Sequence, residues 1–354
     1  MSRSLLTRLR LHLHSLGVVI LAVAMLLVAS PVRAATATGT GLPASTQLDI
    51  LQHVNAALVG LYAEAIPGAR SIETLGETRA GSGVLISDDG LILTIGYLVL
   101  EAQSIEVLTQ DGRRVPARSV AYDLATGFGL VRSLVPLRGT EPAVLGANAG
   151  ASTGDKLLVG MGGIDGGIGM TQLVSKRAFS GYWEYFIESA LFTSPPAPNH
   201  SGAGLFNLQG ELLGIGSLYT NDAAGKGPRS LAGNVFVPVE LLKPVLAEMQ
   251  ATGSTRASRR PWLGLSSGSL GGHLQVLRVT RESPAEAAGL RPGDVVLEID
   301  GAKVATPEAL YKQLWAHPEP DAEIELTVQQ GEEVRKIRVR AIDRMQTLSK
   351  PEGI

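Results

Sequence analysis

The sequence contains no cysteine, so disulfide staples and thiolate chemistry are both closed to it. Histidine is scarce, with six in 354 residues. No His, Asp and Glu stand at metal-ligand spacing, so neither a metal nor another cofactor is expected. Aromatic residues make up 5% of the chain, and no tract of basic residues interrupts the near balance of 31 basic and 33 acidic side chains. That charge pattern argues against nucleic acid as a partner. The glycine run "GGIDGG" (162–167) does not lead from a strand into a helix, so a phosphate-binding loop is not indicated.

A long apolar run is also missing. The one run near the N-terminus, "LGVVILAVAMLLVA" (16–29), would span about 21 Å as a helix. A bilayer core is ~30 Å thick. A basic flank, "MSRSLLTRLRLHLH", precedes it, and "SPVRA" follows, with Val32 and Ala34 at the −3 and −1 positions. Residues 1–34 therefore read as a cleaved signal peptide, with an uncleaved anchor as the alternative. The expectation is an exported protein, periplasmic or secreted, with no stable membrane span after cleavage. The segment carries four arginines and no acid, so its loss moves the net charge from −2 to −6, 27 basic against 33 acidic residues.

What is present is glycine, 42 residues of it, and many short apolar runs. Residues 35–47 are small and polar and read as a flexible mature N-terminus. Residues 48–65 begin with helical spacing and end in a strand-like run. From Gly81 to Gly216 the runs "GVLI", "LILT", "IEVLT", "LLVG" and "ELLGIG" are separated by turn signals, and "VFVPV" follows at 235–239. Strands at this spacing predict a β-barrel or sandwich. "VPVELLKPVLAEMQ" (237–250) reads as a closing helix with Leu241, Leu242, Val245 and Leu246 on one face. Residues 251–260 read as a polar linker. A second unit, 261–345, holds a short helix opened by Ser283 and Pro284, an Asp300-Gly301 turn, and a helix capped by Thr306 with Pro307 at its first position. Residues 346–354 form a tail.

"SPAEAAGLRPGDVVLEIDGAKV" followed by "TPEALYKQL" resembles a bacterial-type PDZ domain. "GSGVLISDDGLILT", "VLTQDGRRVPARSVAYD" and "FNLQGELLGIGSL" resemble segments of the HtrA/Deg family, chymotrypsin-like serine proteases that carry a PDZ domain after the protease. The resemblance covers about residues 50–345. It implies a mostly β chain: a chymotrypsin-like double β-barrel over 48–250, then an α+β PDZ domain over 261–345.

The resemblance breaks at the catalytic triad. The family's T-N-x-H-V stretch reads "TIGYL" here, with Tyr97 at the His position. Its Asp pattern reads "DLATGFGLV", with Gly127 at the Asp position. Its G-N-S-G-G-P-L turn reads "NHSGAGL", which keeps Ser201 but puts Asn199 in place of the flanking Gly and Ala203-Gly204 in place of Gly-Pro. Three residues are inserted just upstream in "TSPPAP", and Ala190 replaces an Asp. A tyrosine is a protonated phenol at neutral pH and a poor base, and glycine has no side chain to orient one. Loss of triad function costs on the order of 10⁶ in turnover, or ~8 kcal/mol of barrier. Other bases to weigh are His200, adjacent to the nucleophile, and His53, His273, His317, Lys156 and Lys176. An oxyanion loop would consist of Asn199, His200 and Ser201, with Asn199 suited to a left-handed backbone.

In the second unit, Trp262, Leu263, Gly264 and Leu265 resemble the PDZ carboxylate-binding loop. Leu265, Leu310 and Leu314 are candidate walls of a peptide groove, or simply core. The expected function is a non-catalytic HtrA-like protein that binds peptide or protein C-termini as a scaffold, adaptor or chaperone-like factor. The alternatives are an active serine endopeptidase using Ser201 with an unusual base, and a β-domain that serves only as an oligomerisation platform. The resemblance also raises self-assembly, or co-assembly with active HtrA-type subunits.

Overall fold

The structure, a computed structural model, describes residues 44–147, 150–181, 185–225, 227 and 230–350. The signal-peptide reading, most of the flexible N-terminus and the last four residues of the tail lie outside the described residues. Helix α1 (Ala44–Ala57) begins inside the stretch expected to be flexible, because Val54 and Ala57 on it are fully buried in a hydrophobic core to which both barrels contribute.

The first barrel closes six antiparallel strands: β1 (Leu58–Ala65), β2 (Thr78–Leu85), β3 (Leu91–Ile95), β4 (Ala102–Leu108), β5 (Arg114–Tyr122) and β6 (Phe128–Ser133). A short helix, α2 (Ile72–Leu75), sits between β1 and β2. The second barrel closes β7 (Lys156–Met161), β8 (Gly167–Gly181), β9 (Tyr185–Ser194), β10 (Gly204–Phe206), β11 (Leu212–Thr220) and β12 (Gly233–Pro238). Closure leaves no free edge in either barrel. Along β3, "LILTI", every side chain is buried. One face joins the barrel core, and the other meets the loop that carries Ser201, where Thr94 Oγ1 donates to the Ser82 carbonyl at 2.7 Å.

The closing helix departs from its expected form. β12 runs on to Pro238, a 3-10 turn covers Val239–Leu241, and α3 spans only Leu246–Thr252. Pro244 has no N–H to give and disfavours a helical residue before it, so the helix starts after it. Leu242 is buried while Leu241 stands exposed, so the four residues do not share one face.

The run 251–260 packs against the first barrel. Thr255 and Ser258 are buried, and both donate to the Asp123 carboxylate, which also receives the Thr126 N–H and hydroxyl.

The second unit holds β13 (Pro261–Trp262), β14 (Leu265–Leu270), β15 (His273–Val279), α4 (Pro284–Ala287), β16 (Val295–Ile299), β17 (Ala302–Lys303), α5 (Pro307–Leu314), β18 (Glu323–Gln330), β19 (Glu333–Arg340) and β20 (Ile342–Asp343). The main sheet has the order β14-β15-β16-β18-β19, which leaves β14 at an edge. The caps are as the sequence predicts. Ser283 Oγ accepts from Glu286 N at 3.2 Å, Thr306 Oγ1 accepts from Ala309 N at 3.2 Å, and Asp300 and Gly301 both take positive φ.

Candidate active-site region

Ser201 lies in a tight turn at the entrance to β10. The Ser82 N–H donates to the Ser201 carbonyl at 2.8 Å, the Gly202 N–H to the Gly216 carbonyl at 2.9 Å, and the Ala203 N–H to the His200 carbonyl at 3.0 Å. The left-handed residue of this turn is Gly202 (φ +73°), not Asn199 as expected. A Cβ on Gly202 would stand 2.0 Å from the Ser82 carbonyl oxygen, so only glycine fits there.

Tyr97 reaches this turn from the short 3-10 segment after β3. Its Oη lies 2.7 Å from Ser201 Oγ and 2.7 Å from the Ser217 carbonyl oxygen. A phenol carries one proton, and a carbonyl can only accept. The Tyr97 proton therefore goes to Ser217, and Ser201 Oγ donates its own proton to Tyr97 Oη. Burial pushes the Tyr97 phenol up to about 12, with the Ser201 contact opposing, so it is neutral at physiological pH. A neutral phenol oxygen accepts a hydrogen bond without taking the proton. Beside it, Tyr185 Oη and Ser217 Oγ lie 3.0 Å apart, and burial raises the Tyr185 pKa as well.

Among the described residues, none of the other sequence-derived bases is hydrogen-bonded to Ser201 Oγ. Among the described residues, the one side-chain hydrogen bond of Ser201 Oγ is with Tyr97. Burial lowers the pKa of His200, and its Nδ1 is buried with no hydrogen-bond partner among the described residues. His53 Nδ1 faces Glu141 at 3.3 Å, His317 Nε2 faces Asp300 at 2.8 Å, and His273 is exposed at the start of β15. Lys156 is exposed at the start of β7, and neither it nor Lys176 lines the cavity described next. No three His, Asp or Glu among the described residues come together as metal ligands.

Gly127 adopts φ +81°, and its carbonyl accepts the Gly96 N–H at 2.7 Å. Gly96 adjoins a residue that sequence reasoning missed. A methyl on Gly96 would fall 2.3 Å from Cδ2 of Tyr122, so the Tyr122 ring rests directly on that backbone. Tyr97, Gly127, Tyr122, Tyr185 and Ser217 all front a cavity of about 510 Å³. Its other wall comes from the second unit, including Trp262, Leu265, Arg278 and Arg344. No local sequence signal marks Tyr122; its role depends on Gly96 and Gly127 meeting in space.

Trp262 is buried, with the Arg344 guanidinium 5.6 Å from its ring centroid. The Leu263 and Gly264 carbonyls are spent inward, accepting from the N–H groups of Ala285 (2.8 Å) and Thr280 (2.7 Å). Gly264 (φ +82°) packs against Ser283, where a Cβ would be 2.2 Å away. Leu263, Leu265, Leu310 and Leu314 are all members of the second unit's buried core. Phe186 on β9 packs against the same core, with the Lys312 ammonium 5.5 Å from its ring, and Arg260 stacks 3.5 Å from the Trp315 ring centroid.

Residues 81–215 match the trypsin-like peptidase domain family, and residues 261–340 match the PDZ domain family. The chain is a trypsin-like peptidase domain followed by a PDZ domain, and this order relates it to the HtrA/Deg family. It is 28% identical over 280 residues to a probable periplasmic serine endoprotease DegP-like of Halomonas elongata, covering 74% of this chain and 56% of that one. It is 28% identical over 242 residues to the putative serine protease HhoA of Synechocystis sp., covering 64% of this chain and 61% of that one. The chain thus spans about half the length of the curated relatives it matches. Among solved structures, the HtrA-type protease AlgW with decapeptide aligns with a TM-score of 0.52 at 21% identity, covering 86% of this chain and 99% of that one. At that identity the likeness shows the fold.

Proposed function

We propose that this chain is an exported HtrA-type protein that holds polypeptide C-termini through its PDZ domain and does not cut them by triad chemistry. The observation that carries the reading is the hydrogen bond of Ser201 Oγ, which ends on a neutral phenol. A nucleophilic serine needs a base within hydrogen-bond reach, and Tyr97 holds that place without basic character. Peptide binding is supported by the PDZ match and by the position of β14 at the edge of its sheet, the kind of strand that strand addition uses. Export is supported by the relatives named as periplasmic. Assembly with itself, or with active subunits of the same architecture, fits the scaffold role.

A second reading is an active serine endopeptidase. The relatives' names favour it, as does the retention of Ser201 in an ordered turn. A fluorophosphonate probe on the purified full chain separates the two. The first reading expects no stoichiometric labelling of Ser201 and intact casein after long incubation. Rapid labelling that Ser201→Ala abolishes establishes the second. Peptide capture is checked by fluorescence anisotropy, where a free C-terminal carboxylate should bind and its amide should not.

A further inference from the structure

We propose that the cavity in front of Tyr97 binds a small planar aromatic carboxylate. The inference goes beyond the function above and holds whether or not Ser201 reacts. The cavity's volume, about 510 Å³, lies within the roughly 300–1,000 Å³ typical of small-molecule sites. Four of the chain's sixteen aromatic residues line it: Tyr97, Tyr122, Tyr185 and Trp262. In a chain so poor in aromatics, that concentration selects a flat apolar body.

The polar groups are unequal. The hydroxyls of Tyr97 and Tyr185 are engaged at Ser217. The Tyr122 hydroxyl makes no hydrogen bond among the described residues, although its ring is seated firmly on Gly96. Burial raises its pKa, so it stays protonated and remains a donor without an acceptor. Positive charge gathers on the same side. Arg344 lies near enough to Tyr122 to oppose that rise, and it stands over Trp262. Arg278, at the exposed rim, has no ion-pair partner among the described residues, whereas Arg70 and Arg281 are matched with Glu282 and Glu73. The Glu101 carboxylate is already taken by the N–H groups of Ser71 and Ser349, and Glu77 faces solvent. A carboxylate entering with its ring among the tyrosines would accept from Tyr122 Oη and face the Arg344 and Arg278 charges.

The test uses the full chain with 3-phenylpropionate, hexanoate and 3-phenylpropionamide as probes, read by saturation-transfer NMR and calorimetry. The expected result is saturable one-to-one binding of 3-phenylpropionate, with both controls weaker by about tenfold or more. Tyr122→Phe removes one oxygen that bonds nothing in the protein, and Arg278→Gln alters an exposed side chain, so both variants keep the fold. Each should weaken 3-phenylpropionate by about tenfold. The proposal is overturned if the folded chain shows no saturable binding of 3-phenylpropionate. It is equally overturned if hexanoate or the amide binds as well, or if neither substitution changes the affinity.

Discussion

At the scale of single residues, the decisive feature is where one proton sits. Tyr97 gives its proton to the Ser217 carbonyl, so Ser201 Oγ donates its own proton to Tyr97 Oη. Tyr97→Phe would leave a buried carbonyl and the serine hydroxyl without this partner. The expected cost is about 1–3 kcal/mol of stability, read by denaturant unfolding. The same tyrosine sets an alkaline limit. Its folded pKa is raised to about 12 from an ordinary value of 10.0. The unfolded chain therefore loses this proton first as pH climbs, and the contribution, complete below pH 10, is lost as pH rises through 12. Unfolding midpoints measured across that window should fall more steeply for the native chain than for Tyr97→Phe. Tyr97 and Gly127 were legible as the residue types standing where the resemblance expects His and Asp. The contact of Tyr97 with Ser201 was not, because a bond between residues 97 and 201 depends on the fold, not on local spacing.

At the scale of elements, legibility followed local rules. The caps at Ser283 and Thr306 and the Asp300-Gly301 turn are written in adjacent residues, and they form as read. The apolar runs "LILT" and "LLVG" fall in β3 and β7. The stretch 237–250 misled because its leucine spacing is helical while Pro238 and Pro244 divide it into strand, turn and helix. The polar run 251–260 misled in the opposite sense. Its composition is that of a spacer, but two of its hydroxyls satisfy the buried Asp123. The turn that carries Ser201 depends on one glycine in the same context-dependent way. Gly202→Ala adds a methyl where the Ser82 carbonyl already stands and holds alanine at a left-handed φ. A loss of about 1–3 kcal/mol is expected. Far-UV circular dichroism during denaturant titration would show it, and an unchanged midpoint would contradict the stated contact.

At the scale of the whole molecule, a buried carboxylate ties the end of the chain to the first barrel. Glu101 accepts from the Ser71 N–H at 2.9 Å and the Ser349 N–H at 2.8 Å. Burial opposes its charge, but the bonds from Ser71 and Ser349 outweigh that and hold its pKa below the ordinary value. The tie is therefore fully formed above the ordinary carboxyl range and is lost only as pH falls through the depressed folded value. Glu101→Ala should release residues 344–350. Faster hydrogen exchange at the Ser349 and Ser71 amides would report it, with little change in the sheets. The exposed pair Arg70–Glu282, at 2.9 Å, is worth less, about 0–1 kcal/mol, and should weaken with added salt.

The Asp123 cluster also bears on how the molecule can be dissected. A fragment that stops at residue 250 would take away the Thr255 and Ser258 hydroxyls that bond the buried Asp123 side chain, and would uncover the part of the first barrel they pack against. The seam between the two halves therefore lies downstream of residue 258, and an isolated first half must carry the strip of chain that its composition would mark as expendable.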